Sequence, residues 1–271
     1  MVNKAERILA LALSGFLLTS CVLHPSSLAP QGTPEQLALE QFLKTARVVD
    51  ISVGTSGGRS EPWVIRLTDG TTERRGFFKY IHRPRPGFAS ESYKREIAAY
   101  ELAKRLGVDI VPPVVERTIE DRPGRKTEGS LQIFVEGCIT ENDRRLKKLE
   151  PPDPQAFANA LDEIAVFENL IYCPREDLGD LLVHRDSWKV CRVDFLEAFD
   201  PDPRLLPRSA ITRCSKRLYQ GLESVDPKIL RSVLKAYLNA DEIESLLERR
   251  LRILEVLRQV IRTKGEAAVL F

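Results

Sequence analysis

The chain has no surplus of either charge: 41 Lys and Arg stand against 39 Asp and Glu, a formal net charge of +2. Such a balance offers no field to gather a polyanion, so nucleic acid is not an expected partner. Histidine is scarce, at three residues, and none of the five cysteines forms a CxxC pair, which argues against a zinc site. Long internal repeats are absent, which excludes a solenoid. With 43% apolar residues the composition is that of a folded protein, large enough for a sizeable core in one bilobal domain or two small ones.

What is present begins at the N-terminus. Lys4 and Arg7 precede a mostly apolar run, residues 8–20, which is too short to span a bilayer and ends in Leu18-Thr19-Ser20-Cys21. That pattern resembles a bacterial lipobox, in which a thiol is acylated and the chain is then cut before it. The resemblance implies a lipoprotein signal peptide over residues 1–20 and a lipidated Cys21 as the attachment to a membrane. The alternative is an uncleaved hydrophobic N-terminus with an incidental cysteine. Val22 follows where an Asp would favour inner-membrane retention, so the expected location is the cell envelope, and the outer membrane if the source is Gram-negative. Cleavage would remove two basic residues and one acidic one, leaving the balance near neutral.

Cys138, Cys173, Cys191 and Cys214 would remain, and four cysteines allow three pairings. Cys173 with Cys191 is the favoured pair, because both flank the candidate site described below; buried thiols are the alternative.

Residues 21–34, rich in Pro, Ser and Gly, read as a flexible tether, with ordered structure from about Glu35. A short helix then leads into VVDISVG, WVIRLTDG and RRGFFKYI, whose β-branched and aromatic content predicts three antiparallel strands. Residues 90–106 are predicted helical, with Ile97, Tyr100, Ala103 or Lys104, and Leu106 near helical spacing and Gly107 at the end. VDIVPPVVERTIE reads as extended chain and GSLQIFVEG as a further strand. A polar, charged stretch follows, closed by PPDP, where Asp153 can cap a helix with Pro154 in its first turn. DLLVH and KVCRVDFL predict a pair of short strands turning at Arg185-Asp186-Ser187, and residues 229–238 and 241–263 predict helices.

Three residues stand out within this frame: Lys79 in GFFKYI, Glu96 in SYKREIAAYELAKRLG and Asp194 in VCRVDFLEAF. Together with VFENLIY, FVEG and the GTSGG turn, their order resembles the kinase-like superfamily that includes phosphatidylinositol 3- and 4-kinases and HipA-type kinases. It resembles more closely an uncharacterised bacterial group, from about Val48 to the C-terminus. The implied fold is α+β and two-lobed, protein-kinase-like, with a small strand-rich N-lobe over residues 35–137 and a helical C-lobe over residues 138–271.

The resemblance implies roles residue by residue. Lys79 would contact nucleotide phosphates, a task its compact three-donor ammonium suits. Glu96 would hold Lys79 from the first helix, with Glu91 and Glu101 as competitors. Gly57 and Gly58 would offer backbone N–H groups over the phosphates, and residues 132–137 would form a hinge in which Val135 and Glu136 read an adenine edge. Asp194 and Asp180 would hold Mg²⁺, since a hard cation takes oxygen ligands. The implied cofactor is ATP or another nucleotide with Mg²⁺.

One position departs from the pattern. Arg175 stands where the superfamily places its catalytic aspartate, and a guanidinium has no acceptor lone pair with which to take a proton. Glu176 or Asp177 would have to substitute. A general base contributes about 10²- to 10⁴-fold, so weak transfer survives its loss in principle. The sequence therefore predicts a lipid-anchored envelope pseudokinase or ligand-binding module, with an atypical phosphotransferase as one alternative. An envelope scaffold with a vestigial cleft and a protein partner is the other.

Overall fold

A computed structural model describes residues 32–53, 62–83, 91–173, 177–206 and 211–271. Cys21, Gly57, Gly58, Arg175 and Glu176 lie outside the described residues.

Helix α1, Pro34–Thr45, starts on a capping box in which Thr33 and Gln36 satisfy each other's backbone N–H groups. Ordered structure thus takes in Thr33 and Pro34, the last residues assigned to the tether. Strands β1 (Arg47–Val53), β2 (Trp63–Thr68) and β3 (Glu73–Lys79) form the expected antiparallel meander. Trp63, Ile65 and Leu67 alternate inward on β2 and pack with Phe78 of β3 and Leu43 of α1. Two short strands, β4 (His82–Arg83) and β5 (Glu91–Ser92), pair with each other. The segment predicted helical from residue 90 therefore begins as strand, and α2 occupies Tyr93–Leu106 behind an Ser92 cap.

Strand β6, Val114–Arg122, pairs with β7, Arg125–Ile133, which pairs in turn with β3, giving the sheet order β1-β2-β3-β7-β6. Gly129 makes the β3–β7 approach possible: a Cβ there would lie 2.4 Å from the Lys79 carbonyl oxygen and 2.6 Å from the Phe78 ring. The polar stretch after the sheet contains two elements that the sequence did not signal, β8 (Cys138–Thr140) and α3 (Glu141–Leu146). Helix α4, Pro154–Leu170, begins on the Asp153 cap as expected. Strands β9 (Leu181–His184) and β10 (Val190–Arg192) complete a small sheet with β8. Helices α5 (Lys216–Ser224), α6 (Pro227–Leu234), α7 (Ala240–Lys264) and α8 (Glu266–Val269) close the chain. Among the described residues no helix is long and apolar enough to cross a membrane.

Two apolar clusters result. One joins a face of the five-stranded sheet to α1; the larger joins α2, α4 and the C-terminal helices. Helix α2 belongs to the larger cluster and is buried on nearly every side, including Arg95, Glu96 and Lys104. Its charges are met internally. Glu40 of α1 accepts from Tyr100 and Lys104, each at 2.8 Å, and Arg95 pairs with Glu242 in the first turn of α7.

The favoured disulfide is overturned: Cys138, Cys173, Cys191 and Cys214 are all thiols. Neighbouring side chains on a strand point to opposite faces. Arg192 of β10 reaches the Cys173 sulfur at 3.6 Å, so Cys191 beside it is directed away. Burial pushes the Cys191 thiol up to about 12.

Candidate active site

Strand β3 delivers Lys79 at its end, on the face that also carries Arg75 and Phe77 and opposite the one that buries Phe78. Lys79 Nζ lies 2.6 Å from Glu96 Oε1 and 3.0 Å from Asp194 Oδ1. Three residues from β3, α2 and the segment after β10, up to 115 positions apart, thus meet in one cluster. The competitors for Glu96 are accounted for elsewhere: Glu91 pairs with Arg83 and Glu101 with Lys104.

Glu96 does more than hold the lysine. Its Oε1 also accepts from the Phe195 N–H at 3.0 Å, while Ser92 N donates to the Leu196 carbonyl at 3.1 Å. The backbone after Asp194 is thereby tied to the start of α2. Asp194 itself takes a left-handed φ of 64°, a conformation that costs a non-glycine residue some strain and that aspartate tolerates better than most. The Oε2 atom of Glu96 is buried and has no hydrogen-bond partner. A buried acceptor left without a partner is uncommon in a folded protein, and this one lies next to the Lys79 and Asp194 contacts.

The electrostatics follow from this packing. Burial opposes the charge on Lys79, but Glu96 and Asp194 outweigh it and raise its pKa. Burial raises the Glu96 pKa, with Lys79 opposing and Asp194 reinforcing. Asp194 is held below the usual carboxylate range in spite of its burial, chiefly by Lys79.

Asp180 sits beside this cluster, its backbone carbonyl accepting from Val193 N at 3.0 Å. Burial pushes its carboxyl up to about 6, against the pull of Arg192. That arginine was not foreseen. Arg192 is 1% exposed and spans four groups: Glu168 Oε1 at 2.8 Å, Asp180 Oδ2 at 3.1 Å, the Cys173 sulfur and the Val193 carbonyl. A charged residue in a short strand ordinarily reads as solvent-facing, so the sequence carried no sign of it. Asp177 shapes the same loop by accepting from Gly179 N at 2.8 Å.

Val135 and Glu136, read from the sequence as part of a hinge, lie in the link between β7 and β8. The Glu136 side chain is taken up by Arg75, with contacts of 2.6 and 3.0 Å, and the Arg75 guanidinium lies 3.9 Å from the Phe134 ring centroid. Phe134 stacks on Phe77 at 5.1 Å.

For a divalent cation, the described residues contain no group of three His, Cys, Asp or Glu that could hold one. Asp194 and Asp180 offer the carboxylate oxygens that a hard cation takes, and each already meets a cation, Asp194 on Lys79 and Asp180 on Arg192. Lys79 supplies a fixed positive charge between Glu96 and Asp194; a divalent ion held here would supply a second one, for phosphate oxygens.

No family model matches the chain, and no curated protein matches it. Solved structures do. The structure of hydra Fam20 with sugar superposes with a TM-score of 0.63 at 16% identity, covering 89% of this chain and 93% of the other. The Golgi casein kinase gives a TM-score of 0.62 at 15% identity, covering 88% and 79%. At such identities the likeness concerns architecture, and it establishes that the chain has a kinase-like fold, as the sequence implied.

Proposed function

We propose that this protein is a lipid-anchored envelope protein whose kinase-like cleft binds a nucleotide or another phosphate-bearing ligand with Mg²⁺, and that it is a pseudokinase or binding module rather than an efficient kinase. The observation that carries the binding part is the convergence of Lys79, Glu96 and Asp194 on one cluster. In this reading Lys79 meets the phosphates, Glu96 fixes Lys79, and Asp194 with Asp180 holds the metal. Arg175 in the base position argues against proton abstraction from a hydroxyl. The anchor rests on Cys21 and the residues before it.

Thermal-shift titration of the full chain with Mg²⁺ and several nucleotides tests the binding. A ligand at 100 times its Kd stabilises by about 2.7 kcal/mol, which a melting curve resolves. Lys79→Ala and Asp194→Ala should each weaken the shift, and absence of any shift with every nucleotide removes the claim.

A second reading, an atypical phosphotransferase, is favoured by the same cluster, because phosphoryl transfer rests chiefly on positioning and charge stabilisation. One of the two neighbours is described as a Golgi casein kinase. Transfer of labelled phosphate above the level of Asp194→Ala would favour this reading; equal levels reject it.

A further inference from the structure

The cleft does not account for the surface that follows β8. Residues 144–149 read Arg-Arg-Leu-Lys-Lys-Leu, and Leu146, at 73%, is the most exposed large hydrophobic side chain among the described residues, with Leu149 at 41%. A single exposed leucine is ordinary. Two of them three residues apart, set among three exposed cations, Arg145, Lys147 and Lys148, call for a partner that takes both kinds of group.

The segment is built to keep that shape. Arg144 turns back, its Nε and Nη2 on the fully buried Glu141 carboxylate at 2.6 and 3.0 Å and its Nη1 on the Leu149 carbonyl. Lys148 N and Leu149 N close on the carbonyls of Arg145 and Arg144, each at 3.0 Å, with Lys148 in a left-handed φ of 52°. Arg145 touches Glu141 through Nε but keeps a side chain 55% exposed, and Lys147 and Lys148 are exposed beside it. The result is a tip with two leucines, Arg145, Lys147 and Lys148 at its surface, flanked by Asp143 and Glu150.

We propose that this tip contacts an anionic lipid surface, Leu146 and Leu149 entering the interfacial region while Arg145, Lys147 and Lys148 meet headgroup phosphates. A stable protein interface takes about 800 Å² from each side, of which two leucines are a small part. A bilayer accepts a small amphipathic element, and each basic residue near an anionic leaflet multiplies partitioning roughly fivefold. The inference goes beyond the proposed function and uses its anchor only to keep the tip near a membrane. Its consequence concerns the cleft, because Asn142 N donates to the Leu178 carbonyl at 3.2 Å, joining α3 to the loop of Asp177 and Asp180. A docked tip brings that loop to the lipid surface.

The test places an environment-sensitive fluorophore at Glu150→Cys in the full chain, with the unsubstituted chain as labelling blank and Leu251→Cys on α7 as a second position. Vesicles of phosphatidylethanolamine with phosphatidylglycerol should blue-shift the probe at position 150 and leave the one at position 251 unchanged; phosphatidylcholine vesicles should shift neither. Lys147→Glu with Lys148→Glu, and separately Leu146→Asn with Leu149→Asn, should abolish the shift without moving the melting midpoint. An unchanged probe at position 150, an equal shift at position 251, or a response to soluble polyglutamate but not to vesicles overturns the proposal. Acylation of Cys21, scored by the mass of the N-terminal peptide, tests the anchor separately, so the two ideas fail independently.

Discussion

Replacing Lys79 by methionine gives the sharpest test of the charge cluster. The change keeps most of the apolar stem and removes the cation from two carboxylates, of which Glu96 is 2% and Asp194 29% exposed in the side chain. Removing one partner of a buried pair costs about 3–5 kcal/mol. The low end applies, because the Phe195 N–H still holds Glu96 Oε1 and Asp194 reaches solvent. A loss of about 3 kcal/mol lowers the melting midpoint by about 6–12 °C in a domain of this size. Glu96→Gln should cost less, since Lys79 keeps Asp194. The double variant should recover part of the sum, with a coupling of about 1.5 kcal/mol or more from urea unfolding. The pH dependence has a definite sign. Burial and Asp194 already raise Glu96, and without Lys79 nothing of opposite charge opposes them. The deficit of Lys79→Met is therefore largest at neutral pH and shrinks on acidification, as Glu96 takes up a proton and no longer needs a cation. Single effects that add to within about 0.5 kcal/mol would show that the groups do not share a pocket, and would refute the reasoning.

Three further outcomes follow from particular contacts. Gly129→Ala should destabilise by about 2 kcal/mol or more, because its Cβ would press on the Lys79 carbonyl, and it should also weaken ligand shifts by displacing the end of β3; a neutral melting curve would contradict the register. Arg192→Lys should be nearly as damaging as Arg192→Met, at about 3 kcal/mol, since one ammonium cannot span Glu168, Asp180, Cys173 and the Val193 carbonyl; rescue by lysine would reject that role. Reductant should leave the melting midpoint unchanged, and thiol titration after unfolding should find Cys138, Cys173, Cys191 and Cys214; a drop in midpoint of several degrees would restore a disulfide.

The legible parts of the molecule are those where local pattern and tertiary role agree. The β-branched and aromatic content around Trp63, Val64 and Ile65 names a strand, and Asp153-Pro154 names a helix start, because each signal acts within a few residues. Lys79, Glu96 and Asp194 were legible through resemblance, and the structure brings them together. Elements of three to six residues, such as β8 and α3, are too short to show a period. Arg192, Arg95 and Glu242 escaped because sequence reading assigns charges to solvent, whereas each is buried against a partner from a distant element. The disulfide expectation failed for the opposite reason: proximity to one site says nothing about which face of β10 a cysteine occupies.

The surroundings of α2 bear on how the cleft works. The helix carries Glu96, and a mobile α2 would make the contact with Lys79 conditional. Here the helix is held at both ends. Arg95 is paired with Glu242, which also caps the start of α7, and a Cβ on Gly221 of α5 would lie 2.4 Å from the Leu106 carbonyl oxygen. Glycine at position 221 thus lets α5 close directly onto the last turn of α2, and a packed contact of that kind does not slide gradually. Lys79 is thus paired with a glutamate on a helix that is braced from behind. On the proposed binding function, a braced pair would spare a ligand the affinity lost when only a fraction of molecules is competent. Gly221→Ala should therefore act at a distance. By pushing α5 off α2 it should lower the melting midpoint and loosen Glu96, weakening ligand-induced shifts in parallel with Glu96→Gln. A variant that melts early yet binds as tightly as the parent would show that the Lys79–Glu96 contact does not depend on the helix behind it.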